Sequence, residues 1–167
     1  MIGDRVQAAL NEQIVHEFFA SQYYLSMSAY FERTGYPGFA HWMRMQADEE
    51  REHALRIFDF VNDRDGRVDL GRIDAPPSEF GSPLEVFQAA LAHERKVTAL
   101  IGELYRLAVE KTDYPTQVML QWFVNEQVQE EKVASDIVDR LRLAGDDKSA
   151  LLLLETELGQ RQGEAEG

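Results

Sequence analysis

Two residues three positions apart, Glu50 and His53, carry the chemistry that this chain has to explain. On an α-helix that spacing puts both side chains on one face, so a carboxylate and an imidazole can reach one cation. They sit in the stretch Asp48-Glu49-Glu50-Arg51-Glu52-His53, inside a pattern that otherwise reads as a buried helical seam. Three more carboxylates and an amide stand in comparable places: Glu17, Glu94, Gln127 and Glu130. From Glu17 to Glu50 is 33 positions and to His53 is 36; from Glu94 to Gln127 is again 33, and to Glu130 again 36. Both halves of the chain thus present one carboxylate followed by a pair at i and i+3.

A buried carboxylate alone is penalised by several kcal/mol, and four together add mutual repulsion. Divalent cations remove both penalties, and an oxygen-rich set with one imidazole suits iron or manganese better than a thiolate-type zinc site. Two cations fit more naturally than one, with Glu50 between the halves as a bridge. Tyr24 lies two turns from Glu17 on the same face, placed to hydrogen-bond a ligand or supply an electron. Trp122, beside the fourth seam, reads equally as a second reductant or a packing aromatic. His16, His41 and His93 read as surface or boundary residues, and Met27, Met43, Met45 and Met119 as core fillers. Glu49, Glu52, Glu126 and Glu131 neighbour the ligands but point off the seam, and a solvated helix face is their first explanation.

Helices must hold these groups. Residues 4–33 carry Leu10, Ile14, Glu17, Ser21, Tyr24, Ser28 and Phe31 in alternating steps of four and three, a packed helical seam. Gly35 caps this helix and Pro37 stops it. A second seam runs from about Phe39 to Asn62 through Trp42, Gln46, Glu50, His53 and Ile57. Ser82-Pro83-Leu84-Glu85 opens a third helix with an N-cap serine and a first-position proline, and its seam passes through Glu94. After a break at Thr112-Asp113-Tyr114-Pro115, a fourth helix continues to about Ala144 through Gln127 and Glu130. Ser149 to Leu158 forms a short fifth. The segment from Asp65 to Ser82 has no helical pattern and holds Gly66, Gly71, Gly81, Pro76 and Pro77. Extended, it spans up to roughly 60 Å, against about 36 Å for a helix of about 24 residues, so it can cross the whole bundle. The expected fold is all-α: a four-helix bundle with a long crossover between helices two and three and a short fifth C-terminal helix.

The 167 residues suit one domain, expected over 1–159, with 160–167 a polar, disordered tail. A formal charge of −13 and a pI near 4.7 argue against nucleic acid as a partner and are compatible with collecting cations. With no cysteine, disulfides, thiolate metal sites and cysteine nucleophiles are excluded. No signal region opens the chain and no apolar run has the length of a membrane span, so the expected setting is cytoplasmic, with no membrane partner.

At these residues the chain resembles the non-haem bacterial ferritins over nearly its whole length. The carriers are Glu17, Tyr24, the stretch Glu49-Glu50-Arg51-Glu52-His53, Glu94, and the run from Trp122 to Glu131. The resemblance implies a ferroxidase centre binding two irons per subunit, site A from Glu17, Glu50 and His53, and site B from Glu50, Glu94 and Glu130, with Gln127 beside it. It implies oxidation of Fe(II) by dioxygen or hydrogen peroxide, Fe(III) stored as mineral, and a homo-oligomeric shell of 24 subunits. A third iron position would use Glu49, Glu126 and a further glutamate, where this chain has Gln129. Bacterioferritins carry a second Glu-x-x-His pair and a haem methionine; here Gln127-x-x-Glu130 and Glu52 stand instead, so no haem is expected. Mini-ferritins of the DNA-protecting type lack the fifth helix and do not match. The alternatives are a di-iron oxidase or peroxide-scavenging bundle that stores little iron, or a structural cage with an idle site. The imidazole on one side only makes site A the tighter of the two.

Overall fold

Helices supply all the regular structure of residues 1–163, which the computed structural model describes. They are α1 (Asp4–Thr34), α2 (Pro37–Asp63), α3 (Pro83–Glu110), α4 (Tyr114–Ala144) and α5 (Lys148–Leu158). The all-α expectation holds, and most boundaries follow local chemistry. Gly35, at φ +88°, ends α1 in the left-handed conformation that glycine adopts without a Cβ clash. Pro37 occupies the first position of α2 rather than only stopping α1, because a missing N–H costs nothing there. The second helix therefore starts two residues before the expected Phe39. Ser82 and Glu85 close a capping box on α3, with Ser82 N donating to Glu85 Oε2 at 2.7 Å and Glu85 N to Ser82 Oγ at 3.3 Å. Asp113 caps α4 through the Thr116 N–H and pairs with Arg64 at 3.0 Å, tying the end of α2 to the start of α4.

Contacts at the helix ends fix the directions. Arg5 near the start of α1 meets Glu110 at the end of α3, and Tyr30 near the end of α1 donates to the Gly81 carbonyl just before α3. α1 and α3 are thus antiparallel, and α2 and α3 run the same way. The segment 65–82 makes the expected full-length crossover along α1. Side chains of that helix take up part of its backbone: Arg67 N donates to Gln7 Oε1, Asn11 Nδ2 to the Arg67 carbonyl, and Ser26 Oγ to the Pro77 carbonyl. Among the described residues no helix is long and apolar enough to cross a membrane.

The apolar core is divided in two. One cluster gathers Tyr24, Phe31, Phe39, Trp42, Phe87 and Leu141 with their neighbours. The other gathers Leu10, Ile14, Ile57, Ile101, Leu120 and Phe123 with theirs. On every long helix the interval between the clusters holds buried polar residues, among them Glu17, Gln46, Glu50, His53, Glu94, Gln127 and Glu130.

α5 packs across the first turn of α2. A Cβ on Gly38 would come within 2.2 Å of the Glu155 carbonyl, and the Gly38 N–H donates to the buried Glu155 carboxylate. Gly38→Ala therefore overpacks the contact, costing about 2 kcal/mol and lowering the melting midpoint by roughly 6 °C. Gly102, exposed in the middle of α3 with open space around it, is the counter-case. Gly102→Ala raises the midpoint, since alanine is the better helix former. Calorimetric scans of the two variants check both directions.

Candidate metal centre

Each long helix brings its acidic group to the polar layer because that position lies on its core-facing stripe. Glu17 of α1, Glu50 and His53 of α2, Glu94 of α3 and Glu130 of α4 are all buried. They form two groups sharing Glu50: Glu17, Glu50 and His53, and Glu50, Glu94 and Glu130. Within each group one ligand atom per residue lies within 4.8 Å of the others. A third group, overlapping the first two, joins His53, Glu126 and Glu130. Of the six residues read from the 33 and 36 spacings, these five are brought together, and the sixth, Gln127, lies against Glu94.

A ring of neutral donors holds the outer carboxylate oxygens. Gln13 Nε2 donates to Glu17 Oε1 at 2.7 Å, and Gln46 Nε2 to Glu130 Oε2 at 2.7 Å and to Glu50 Oε1 at 3.2 Å. Gln127 Nε2 donates to Glu94 Oε2 at 3.1 Å and to the Glu94 carbonyl at 3.2 Å. Tyr24, buried, donates its hydroxyl to Glu94 Oε1. Among the five ligand residues, two buried polar atoms are left without a hydrogen bond, Glu17 Oε2 and His53 Nδ1. They face each other at 4.0 Å, and His53 Nδ1 lies 3.2 Å from Glu50 Oε2 without hydrogen-bond alignment. Leaving such atoms unpaired is costly. A cation with oxygen and imidazole ligands satisfies them, so the residues present fit a metal site.

Electrostatics point the same way. Burial, then the Glu50 charge, raises the Glu17 carboxyl to about 8. Burial, then Glu50 and Glu94, raises Glu130 to about 9. Burial also raises Glu50 well above, and Glu94 above, the usual carboxylate range. Tyr24 is held well above the usual phenol value by burial and by Glu94.

The remaining expected residues take varied places. Trp122 is half-buried, edge-on to His53 at 5.2 Å between ring centres, with Arg56 stacked on it at 3.9 Å. Glu49 pairs with Arg161 at 2.7 Å, and Gln129 is exposed. His16, His41 and His93 are half-buried, as boundary residues are; His93 Nε2 has no hydrogen-bond partner and burial lowers the imidazole to about 4. Met27 and Met43 are in the core, while Met45 and Met119 are only half-buried. Three participants were not singled out from the sequence. Gln13 and Gln46 each stand four residues before a site glutamate, a spacing that could have revealed them. Arg161 lies in the segment read as a tail, 160–167, of which only 164–167 fall outside the described residues.

A four-helix bundle whose core is cut by a layer of four carboxylates and one imidazole, grouped around a shared glutamate, has the donor set of a carboxylate metal bundle. Residues 7–144 match the family model of the ferritin-like domain, and the chain belongs to that family. It is 45% identical to a bacterial non-haem ferritin of Bacteroides fragilis (strain 638R), over 96% of this chain and 100% of that protein. It is 39% identical to a bacterial non-haem ferritin of Staphylococcus aureus (strain USA300), over 96% of this chain and 97% of that one. Among solved structures it is similar to the open-pore ferritin of the hyperthermophilic archaeon Archaeoglobus fulgidus, with a TM-score of 0.96, 48% identity, and coverage of 97% of this chain and 100% of that one. A closed form of that ferritin, engineered by site-directed mutagenesis, aligns with a TM-score of 0.97 at 47% identity, covering 98% of this chain and 100% of its own.

Because Glu17 and Glu130 bind protons more tightly in the fold than in the unfolded chain, the metal-free protein is stabilised at low pH, below the unfolded carboxylate value. That stability is lost as pH rises through about 8 to 9. The melting midpoint of metal-free protein therefore falls from about pH 5 to about pH 9. Glu17→Gln flattens the fall, as scans across that range would register.

Proposed function

We propose that the chain is an iron-storage protein with ferroxidase activity, a cytoplasmic store that oxidises Fe(II) at a dinuclear centre and keeps Fe(III) as a mineral inside a shell of 24 subunits. The observation that carries this reading is the pair of donor groups sharing Glu50, with two buried ligand atoms, Glu17 Oε2 and His53 Nδ1, 4.0 Å apart and without a hydrogen bond. Iron is the substrate. Glu17, Glu50 and His53 hold the first ion, and Glu50, Glu94 and Glu130 the second, with Glu50 as the bridge. Dioxygen or hydrogen peroxide takes the electrons.

This chain's residues have three tasks. The carboxylates give up their protons as cations enter, and those protons are available to the reduced oxygen species. Tyr24 and Gln127 hold both oxygens of Glu94 and so set the geometry of the second position. Tyr24 is also the nearest phenol to the centre and the natural one-electron donor. An acidic cleft of about 710 Å³, lined by Asp48, Glu49, Glu52, Asp59 and Trp122, reaches His53 and supports cation access. The first position offers unpaired atoms and an imidazole, whereas oxygens at the second are already hydrogen-bonded. Site A therefore fills first.

Anaerobic metal-free protein loaded with Fe(II) and then exposed to air should take up oxygen rapidly in an iron-dependent way. His53→Ala or Glu94→Ala lowers the initial rate by roughly 10- to 100-fold. Unchanged rates in both variants would overturn the reading. Sedimentation and iron loading test the storage part separately: a small oligomer holding two irons per chain would leave only the oxidase chemistry.

A further inference from the structure

Two consecutive tyrosines on α1 face different ways. Successive helical residues point about 100° apart. Tyr24 therefore turns into the polar layer and donates to Glu94 Oε1, while Tyr23 turns toward α3 and the crossover and is half-buried. Their rings stay in contact, with centres 6.5 Å apart. His93 of α3 lies against both, 5.0 Å from the Tyr23 ring and, edge-on, 6.2 Å from the Tyr24 ring. Phe19 of α1 and Phe80 of the crossover, each 5.9 Å from Tyr23, hold that ring in place.

An electron taken from Tyr24 has to be replaced. Two Fe(II) ions carry two electrons and dioxygen needs four to reach water, so a phenol beside the centre is drawn on. Tyr24 is 1% exposed, and a dissolved reductant does not touch it. Of the two rings that meet Tyr24 here, an imidazole is harder to oxidise than a phenol, which leaves Tyr23. The two tyrosines differ in where a proton goes. Burial raises both phenols above their usual value, so each holds its proton at neutral pH and sheds it on oxidation. The Tyr24 proton has the crowded Glu94 carboxylate as its acceptor, whereas half-buried Tyr23 releases its proton to water. The oxidised state is therefore better accommodated on Tyr23, and it moves outward.

We infer that Tyr23 is the outer half of a two-tyrosine relay, returning an electron to oxidised Tyr24 and being restored at the surface by a dissolved one-electron reductant of the ene-diol class. In the first step Tyr24 loses an electron to the reduction of dioxygen, and its proton passes along the hydrogen bond to Glu94. In the second, Tyr23 gives an electron to Tyr24 and a proton to water, and the proton on Glu94 returns to the Tyr24 oxygen. In the third, the ene-diol gives Tyr23 one electron and one proton and leaves as its own radical. Tyr23 touches neither the ions nor dioxygen; it acts through Tyr24. This inference rests on the iron-oxidation reading above.

Freeze-quenched electron paramagnetic resonance reads the relay in full-length protein loaded anaerobically with Fe(II) and mixed with air. The unaltered protein should show a tyrosyl signal that added ascorbate removes. Tyr23→Phe keeps the ring contacts and loses the phenol. It should still form the signal, but ascorbate should remove it roughly tenfold more slowly. Tyr24→Phe should show no tyrosyl signal, because Tyr23 is oxidised through Tyr24. If ascorbate clears the Tyr23→Phe signal as fast as the unaltered one, or if Tyr24→Phe still forms a tyrosyl radical, Tyr23 is not the outer half of a relay. Oxygen uptake without any tyrosyl signal in the unaltered protein overturns the relay and leaves the dinuclear centre standing. Absence of iron-dependent uptake removes the reading on which the relay rests.

Discussion

Like charges crowded into a water-poor layer repel, and in this bundle four glutamates from four helices meet in one such layer. The fold manages that repulsion with neutral donors and raised proton affinities: two glutamines precede the α1 and α2 glutamates by one turn, a third glutamine and a tyrosine hold Glu94, and protons remain on carboxyls that would be bare in water. What they do not satisfy is the inner face of the layer, where Glu17 Oε2 and His53 Nδ1 stay unpaired. That incompleteness is a stability cost in the metal-free chain and an affinity for cations, since both come from the same desolvated groups.

The layer also explains the architecture around it. Helices of 27 to 31 residues extend well beyond it on both sides, which gives each side its own apolar cluster. The crossover makes α2 and α3 parallel, and Glu50 and Glu94 still arrive at the same height because each lies in the middle of its helix. Hydrogen bonds from α1 side chains to the crossover backbone let a segment without regular structure cross the bundle.

Much of this was legible in the residues. The repeated 33 and 36 spacings placed Glu17, Glu50, His53, Glu94 and Glu130 in one layer, because a helical face is a strict function of position. The length of the 65–82 segment allowed a full crossover without requiring it, since mid-helix residues meet in either topology, and the α3 start was legible from Ser82, Pro83 and Glu85. Pro37 was read as a stop because proline ends one helix and begins the next by the same lack of an N–H, and sequence does not say which. Gln13 was passed over although it stands one turn from Glu17. Arg161 could not have been found: a lone arginine in a polar stretch gains its meaning from the turn that folds it back, and that turn depends on α5 docking against Gly38. Charge and periodicity describe faces of helices; they do not describe which distant segment lies over a face.

The divided core has a mechanical consequence. Most bundles are loosest at their ends, where helices fray, and tightest at mid-length. Here the apolar packing is interrupted at mid-length, so the metal-free subunit has a waist: two well-packed halves joined through a band of polar contacts. On the dinuclear reading, two ions sharing Glu50 would tie all four long helices together where hydrophobic contact does not, and filling one such site to a hundred times its dissociation constant would add about 2.7 kcal/mol to the folded state. On the iron-storage reading proposed above, cargo and rivet would be the same object, and a chain with an empty centre would be one whose middle has loosened.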